Sequence, residues 1–391
     1  MNKQLERLWS LKTVRYALLA ILTVMALISL LQGIRNALEF SQDFQWDATK
    51  TFTMRINPYD ESLNPSGILD RYGFEEYYLQ MEANQFPSLL MLLIPYTFLP
   101  PLAARYAWII SNLIFTVGII VLLRQTFLKK ADKYVFVAFM LLMIAGTPYR
   151  NQLGVGQHTL FAFFFFLLAV RLDEMEDSKC AYVFSVLSLF VCYFKYTLTV
   201  PLCIYFIYKR KYMKIIISAF FHVVLTLVAA LWLDDSFINM IIKPLKVSSA
   251  LSAEGGIDFG ALLKGSVFAY LLAFFVMLFL LVMSFKLSKE MELQVISILI
   301  LWSLIITYHR TYDFFVITVV LAFYLARQRD FIFKLWYAIV IAGVFFGLRI
   351  FSESAGSKIA VGIIYYCFTI SMTYIVLKEG KKKNTEVQGE E

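Results

Sequence analysis

Apolar runs close to the roughly 20 residues that a helix needs to cross a bilayer recur along the whole of this 391-residue chain. They leave few folds open. In lipid only helices and closed barrels satisfy their own backbone hydrogen bonds, and a barrel would show short segments of alternating polarity that are missing here. The expected fold is an all-α polytopic membrane protein, a single integral membrane unit over 1–391 with no soluble domain and no internal repeat. The 16% of charged residues fits this class, since soluble domains carry roughly 25%.

Hydropathy places about twelve spans, at 14–34, 103–124, 133–149, 154–172, 180–195, 197–210, 214–233, 263–285, 290–307, 311–327, 331–350 and 358–377. With the N-terminus inside, 23 of the 36 lysines and arginines fall in inner loops and 13 outside. Cytoplasmic loops carry the excess of positive charge, so both termini are expected in the cytoplasm. The net charge of +8 is thus an orientation signal and implies no nucleic-acid partner. The expected location is a cell membrane, the bacterial inner membrane. The basic N-terminus runs into a full span with no small-residue cleavage site, as an anchor does. Cys180, Cys192, Cys203 and Cys367 lie in or beside apolar runs without metal-ligand spacing.

Residues 88–99 are apolar but too short to cross, which suggests an interfacial or re-entrant helix on the outer face. Lys195 is expected at an outer break between two short helices. Two outer loops are long. Residues 35–86 carry nine acidic residues with Tyr72, Tyr77 and Tyr78, and should form short helices on the membrane surface. Residues 234–262, with Lys243, Lys246 and Gly255-Gly256, suit a mobile flap. The charged tail 379–391 is expected to be disordered on the cytoplasmic side.

Under this topology Asp43, His158, Lys195, His309 and Asp313 all reach the outer side near span ends. An ionisable residue at membrane depth is a functional candidate by default. Asp43 is placed as a general base would be; alternatively it caps a helix beginning at Phe44, or shares a solvated helical face with Asp47. Asp313 lies one turn beyond His309 and could orient its ring, unless the stretch is an ordinary polar loop. His158 follows Gly154-Val155-Gly156-Gln157 as either an interfacial histidine or a binding residue. Lys195 either snorkels or clamps a phosphate, with Arg150 and Arg310 as further cations for that task. There is no nucleotide-binding glycine loop and no HExxH or GxSxG motif. The sequence requires no metal or cofactor.

These residues resemble glycosyltransferase family 87, polyprenyl-phosphate-sugar-dependent enzymes of the GT-C fold. The similar features are Asp43-Phe44 after the first span, Asn57-Pro58-Tyr59, Phe86-Pro87-Ser88 through Leu99-Pro100, Gly156-Gln157, Lys195 and His309. Ser88 stands where the family pattern has a second proline. The resemblance implies a GT-C-like fold of about 12 transmembrane helices whose first outer loop is catalytic. It implies transfer of a hexose or pentose, mannose foremost, from a polyprenyl-phosphate sugar to a glycolipid or glycan acceptor at the outer face. Asp43 would be the inverting base, with His309 also catalytic. Lys195, His158, Gln157, Arg150, Arg310, Tyr59 and Asp313 would bind donor phosphate or substrate. A lipid-linked sugar flippase or transporter and a polysaccharide polymerase are the other readings open to such a chain.

Overall fold

The computed structural model describes residues 11–69, 82–129, 131–175, 178–251, 256–287, 291–320, 336, 339–347 and 355–388. All regular elements among them are helical. In chain order they begin with α1 (Lys12–Glu39), α2 (Trp46–Thr53), α3 (Pro58–Leu63), α4 (Pro87–Leu93), α5 (Pro101–Gln125), α6 (Lys133–Ala145), α7 (Thr147–Gly154) and α8 (Thr159–Asp173). There follow α9 (Lys179–Cys192), α10 (Tyr196–Leu202), α11 (Ile204–Tyr208), α12 (Tyr212–Trp232), α13 (Phe237–Leu251), α14 (Phe259–Leu262), α15 (Val267–Lys286), α16 (Glu292–Ile306) and α17 (Ala355–Gln388). Six stretches among the described residues are long and apolar enough to cross a membrane, so this is a polytopic membrane protein; of the expected spans 311–327 and 331–350, residues 321–327 and half of the second lie outside the described residues. At the centre stands α16, buried on every side from Gln294 to Ile306, as a helix apolar all round must be.

Side-chain contacts fix the direction of each traverse. α1 begins beside the start of α6, with the Arg15 guanidinium 4.8 Å from the Tyr134 ring. Its last turn meets the start of α5, where Arg105 Nη1 donates to the Leu38 carbonyl at 2.8 Å. Gly33 faces Leu153 of α7, so α6 and α7 climb alongside α1 as one traverse broken at Gly146. The break is local chemistry: Thr147-Pro148 restarts the helix with proline in its first turn, where no backbone N–H is needed. The expected spans 133–149 and 154–172 are corrected here. The reversal falls at 155–158, and α8 leaves α7 at 110°. Arg150 consequently sits inside α7 rather than at a span end.

Lys179–Leu202 is continuous enough to be one crossing by length, yet the chain turns at the 3₁₀ turn Tyr193–Lys195. Ser185, Val186 and Phe190 of α9 bond Lys214, Ser218 and His222 of α12, so these two helices run in the same direction. α10 and α11 therefore return between them. They lie antiparallel to α16, with Thr307 Oγ donating to the Thr197 carbonyl and Tyr205 to Glu292 at the opposite end.

α4 does not cross. The Tyr59 hydroxyl donates to the Gln85 carbonyl on one side of it, and Trp46 Nε1 to the Tyr96 carbonyl on the other, so both its ends stay at one end of the bundle. The loop over 35–86 does form short helices, α2 and α3, although α1 extends into it as far as Glu39; Tyr72, Tyr77 and Tyr78 lie outside the described residues. Two expectations differ. Much of 234–262, read as a flap, is helix α13, clamped by Lys243 to Asp60 (2.7 Å) and Asp235 (2.6 Å). The tail read as disordered continues α17 to Gln388, because its lysines, glutamates and Gln388 are good helix formers that extend a span already nucleated.

Candidate active site

Asp43 lies in the 3₁₀ turn Gln42–Phe44, directly after α1. The residues on either side of that turn, Ser41 (φ 42°) and Gln45 (φ 63°), are both left-handed. Non-glycine residues in that region cost on the order of 1–3 kcal/mol each and persist only where the surroundings enforce them. Here they do. Asp43 N donates to the Val155 carbonyl at 2.7 Å, Ser41 Oγ to the Ala37 carbonyl at 2.5 Å, and Phe44 stacks on Trp108 at 5.1 Å. Trp108 Nε1 in turn donates to the Gly156 carbonyl at 2.8 Å. Gly156 has φ +70°, and a Cβ there would stand 3.2 Å from Phe44 Cβ. The strained turn excludes both bland readings of Asp43. α2 begins only at Trp46, with Gln45 before it, and Asp43 and Asp47 occupy different elements.

Gln157 reaches into the site from the α7–α8 reversal. Its Oε1 accepts from the His158 backbone N–H at 2.8 Å, which fixes Nε2 as the outward end. Nε2 donates to Asp43 Oδ2 and to the Tyr312 hydroxyl, both at 3.0 Å. Asp43 is half-buried. Burial pushes its carboxyl above the ordinary range, while the charges of Lys195 and Arg310 and a Tyr312 hydrogen bond pull it back. Asp47 is pushed up to about 7 by burial, against the pull of Arg105.

Beside this lies a second knot of polar groups. Asp313 Oδ1 accepts from Thr159 Oγ and lies 3.9 Å from Lys195 Nζ; Oδ2 is 2.7 Å from His309 Nδ1. His309 Nε2 meets Thr307 Oγ at 2.9 Å. Lys195 Nζ also stands 5.6 Å from the centre of the Tyr312 ring. Arg310 is half-buried, its Nε donating to the Tyr308 hydroxyl at 2.5 Å. One end of the bundle thus presents a carboxylate held from the segment after α1 beside two cations from later segments. A family model, glycosyltransferase family 87, matches residues 87–307, more than half of the chain. The chain belongs to glycosyltransferase family 87.

It is accordingly a membrane glycosyltransferase with a sugar donor and an acceptor. No curated protein and no solved structure matches it. The family match contains Gln157, His158 and Lys195 but stops short of Asp43 and of His309–Asp313.

Not every residue picked from sequence joins the site. Asp43, Gln157, Lys195, His309, Arg310 and Asp313 do. His158 is fully buried 5.2 Å from the Trp108 ring, behind Gln157. Arg150 bonds Gln32 at 3.0 Å in a separate cleft of about 470 Å³ between α1 and α7. Tyr59 is fully buried under α4, where its hydroxyl serves the Gln85 carbonyl. Tyr312 and Thr159 escaped the sequence reading. Tyr312 stood inside the His309–Asp313 motif and could have been found. Thr159 carries no signal, because its role depends on a partner 154 positions away.

Proposed function

We propose that this glycosyltransferase moves a sugar from a polyprenyl-phosphate donor to a glycolipid or glycan acceptor at the outer face of the membrane, with Asp43 as general base. The observation that supports this most is Asp43 itself, a half-buried carboxylate in a turn flanked by two left-handed residues and facing Lys195 and Arg310. The acceptor hydroxyl gives its proton to Asp43 as its oxygen attacks the anomeric carbon from the face opposite the phosphate. The bond from that carbon to the phosphate oxygen breaks, and the configuration inverts. Lys195 and Arg310 face the negative charge that gathers on the departing polyprenyl phosphate, where a low dielectric strengthens the attraction. His309 takes a positioning part: its side chain is fully enclosed, and it holds Asp313, which in turn sets Lys195. The lipid-linked sugar is a substrate, so the reaction needs no cofactor. Mannose is the sugar that the sequence resemblance favours.

A flippase or transporter would gather its charges near the bilayer midplane, whereas the six residues of this site lie at one end of the bundle. The test is to supply purified protein in lipid nanodiscs with radiolabelled short-chain polyprenyl-phosphate mannose, a membrane-lipid extract as acceptor pool, and no nucleotide. Label moving into a new product supports the reading. Transfer from a nucleotide sugar but not from the polyprenyl phosphate would sink it.

A further inference from the structure

We infer that the cleft between α1 and α7 seats the phosphate of an anionic membrane lipid, held by Arg150 and Arg35. The inference stands apart from the reading of Asp43, because lipid binding is measured without any sugar transfer.

The spacing of polar residues in α1 builds the cleft. Gln32, Arg35, Asn36 and Glu39 follow one another at i, i+3, i+4 and i+7, which puts four polar side chains on one face of a largely apolar helix. Arg150 and Asn151 of α7 complete the lining, so all six side chains around the space of about 470 Å³ are polar. The two helices are pressed together beneath it. A Cβ at Gly33 would lie 3.1 Å from Leu153 Cδ2, and one at Gly154 would lie 2.9 Å from Asn36 Cβ. Arg150, Asn36 and Asn151 are half-buried, while Gln32, Arg35 and Glu39 are exposed at the rim.

Both arginines are already anchored. Arg150 Nη1 donates to Gln32 Oε1 at 3.0 Å, and Arg35 Nε donates to Glu39 Oε1 at 2.8 Å. A guanidinium carries five N–H donors in a planar fork, so each can keep its protein partner and also bind a phosphate oxygen. Two guanidinium charges stand against one carboxylate, which favours an anion. Depth favours a lipid over an ion from solution. The 20 residues of α1 before Gln32, 12–31, rise about 30 Å, the thickness of the hydrocarbon core, so the cleft lies at headgroup level. Leu27, Ile28 and Leu31 precede it on the same helix and are exposed, which gives an acyl chain an apolar surface to lie on. A lipid in this place clasps the last turns of both helices. One of them leads into Asp43 and the other into Val155, whose carbonyl holds the Asp43 N–H.

The test titrates delipidated protein in detergent with phosphatidylglycerol, phosphatidylcholine and inorganic phosphate, following the first bound lipid by native mass spectrometry. Wild type should bind phosphatidylglycerol roughly tenfold more tightly than phosphatidylcholine, whose choline cation the arginines repel. Arg35→Gln combined with Arg150→Gln should erase that preference. Arg55→Gln, which removes an exposed arginine between α2 and α3, should keep it. Inorganic phosphate at the lipid's own concentration should leave the lipid bound. Should the double variant fail to fold, Gln32→Glu at the exposed rim adds a carboxylate with both arginines kept, and should weaken the preference severalfold. Equal binding of the two lipids by wild type overturns the inference. So does a preference that survives in the double variant, or in Gln32→Glu where that variant does not fold, or one that Arg55→Gln removes as well. Displacement of the lipid by inorganic phosphate at equal concentration reveals an anion site filled from water, and overturns it too.

Discussion

Gly256→Ala tests how tightly the second long loop is seated on the site. A Cβ built at Gly256 would lie 2.4 Å from the His309 carbonyl oxygen and 2.3 Å from Asp258 Oδ2. Ordinary contact begins at 3.4 Å, so each neighbour must retreat by about 1 Å. Asp258 cannot swing freely, because it is buried and its Oδ1 accepts from Ala261 N at 3.0 Å. The His309 backbone has to move instead, and with it Arg310 and the ring that holds Asp313. Overpacking of this kind costs about 1–3 kcal/mol, and a shift of about 1 Å near reacting groups can cost about 10²-fold in rate. Gly343→Ala is the control, since a Cβ there meets none of the described residues within 4 Å. The assay is sugar transfer from polyprenyl-phosphate mannose, with Tm read from intrinsic fluorescence. Gly256→Ala should fold with a Tm lower by a few degrees and lose between about ten- and a hundredfold in turnover. Wild-type turnover with an unchanged Tm would show that the loop does not press on His309 at all.

Asp43→Asn should lower turnover by about 10²–10⁴ while leaving donor binding near wild type, as measured by retention of labelled donor. As the proposed base, Asp43 accepts a proton only when its carboxyl is ionised, and that carboxyl is raised above 3.8. Transfer should therefore fail on acidification at a pH above that ordinary value, and a pH–rate profile flat down to pH 4 would contradict it. Asp47 is protonated in the folded protein up to about pH 7. The stability it contributes is present below about pH 4 and is lost as pH rises from there through 7, so Asp47→Asn should raise Tm most at pH 8, by less at pH 5, and leave it nearly unchanged below about pH 4. For orientation, a cysteine at Lys243 should react with an impermeant maleimide added outside, and one at Lys211 should not. The reverse pattern would put the site on the cytoplasmic side.

The class of fold was legible because apolar run length is a constraint the bilayer itself imposes, and α1, α5, α12 and α15 appear close to where hydropathy puts them. The shorter helices were harder to read. Thr147–Gly154 is polar enough to pass for a loop, yet Pro148 starts it and α1 packs along it, so tertiary contact decided a segment that hydropathy could not. Within the site, the ionisable residues stood out because charge is rare in this sequence. Asp43 and His309 were found that way, but a side chain's partners are not written in its own neighbourhood. Tyr59 sat in a motif and turned out to be packing, while Tyr312 sat in one and meets the Gln157 amide that binds Asp43. His309 is catalytic in the sequence reading, and only the contacts of both its ring nitrogens reveal that it is already engaged.

The bonds from Asp43 to Gln157 and from Gln157 to Tyr312 join residues 114 and 155 positions apart. That spacing has a consequence in time. A ribosome adds about 5–20 residues per second, so the carboxylate emerges first and waits many seconds for the amide, then longer still for the phenol. Through that interval the strained turn around Asp43 has Trp108 and the Val155 carbonyl to hold it once they arrive, but the pocket is open on the side that residues 307–313 will close. A chain released before that stretch can be inserted and packed over most of its length and still transfer nothing, so the enzyme acquires its chemistry only near the end of its own synthesis.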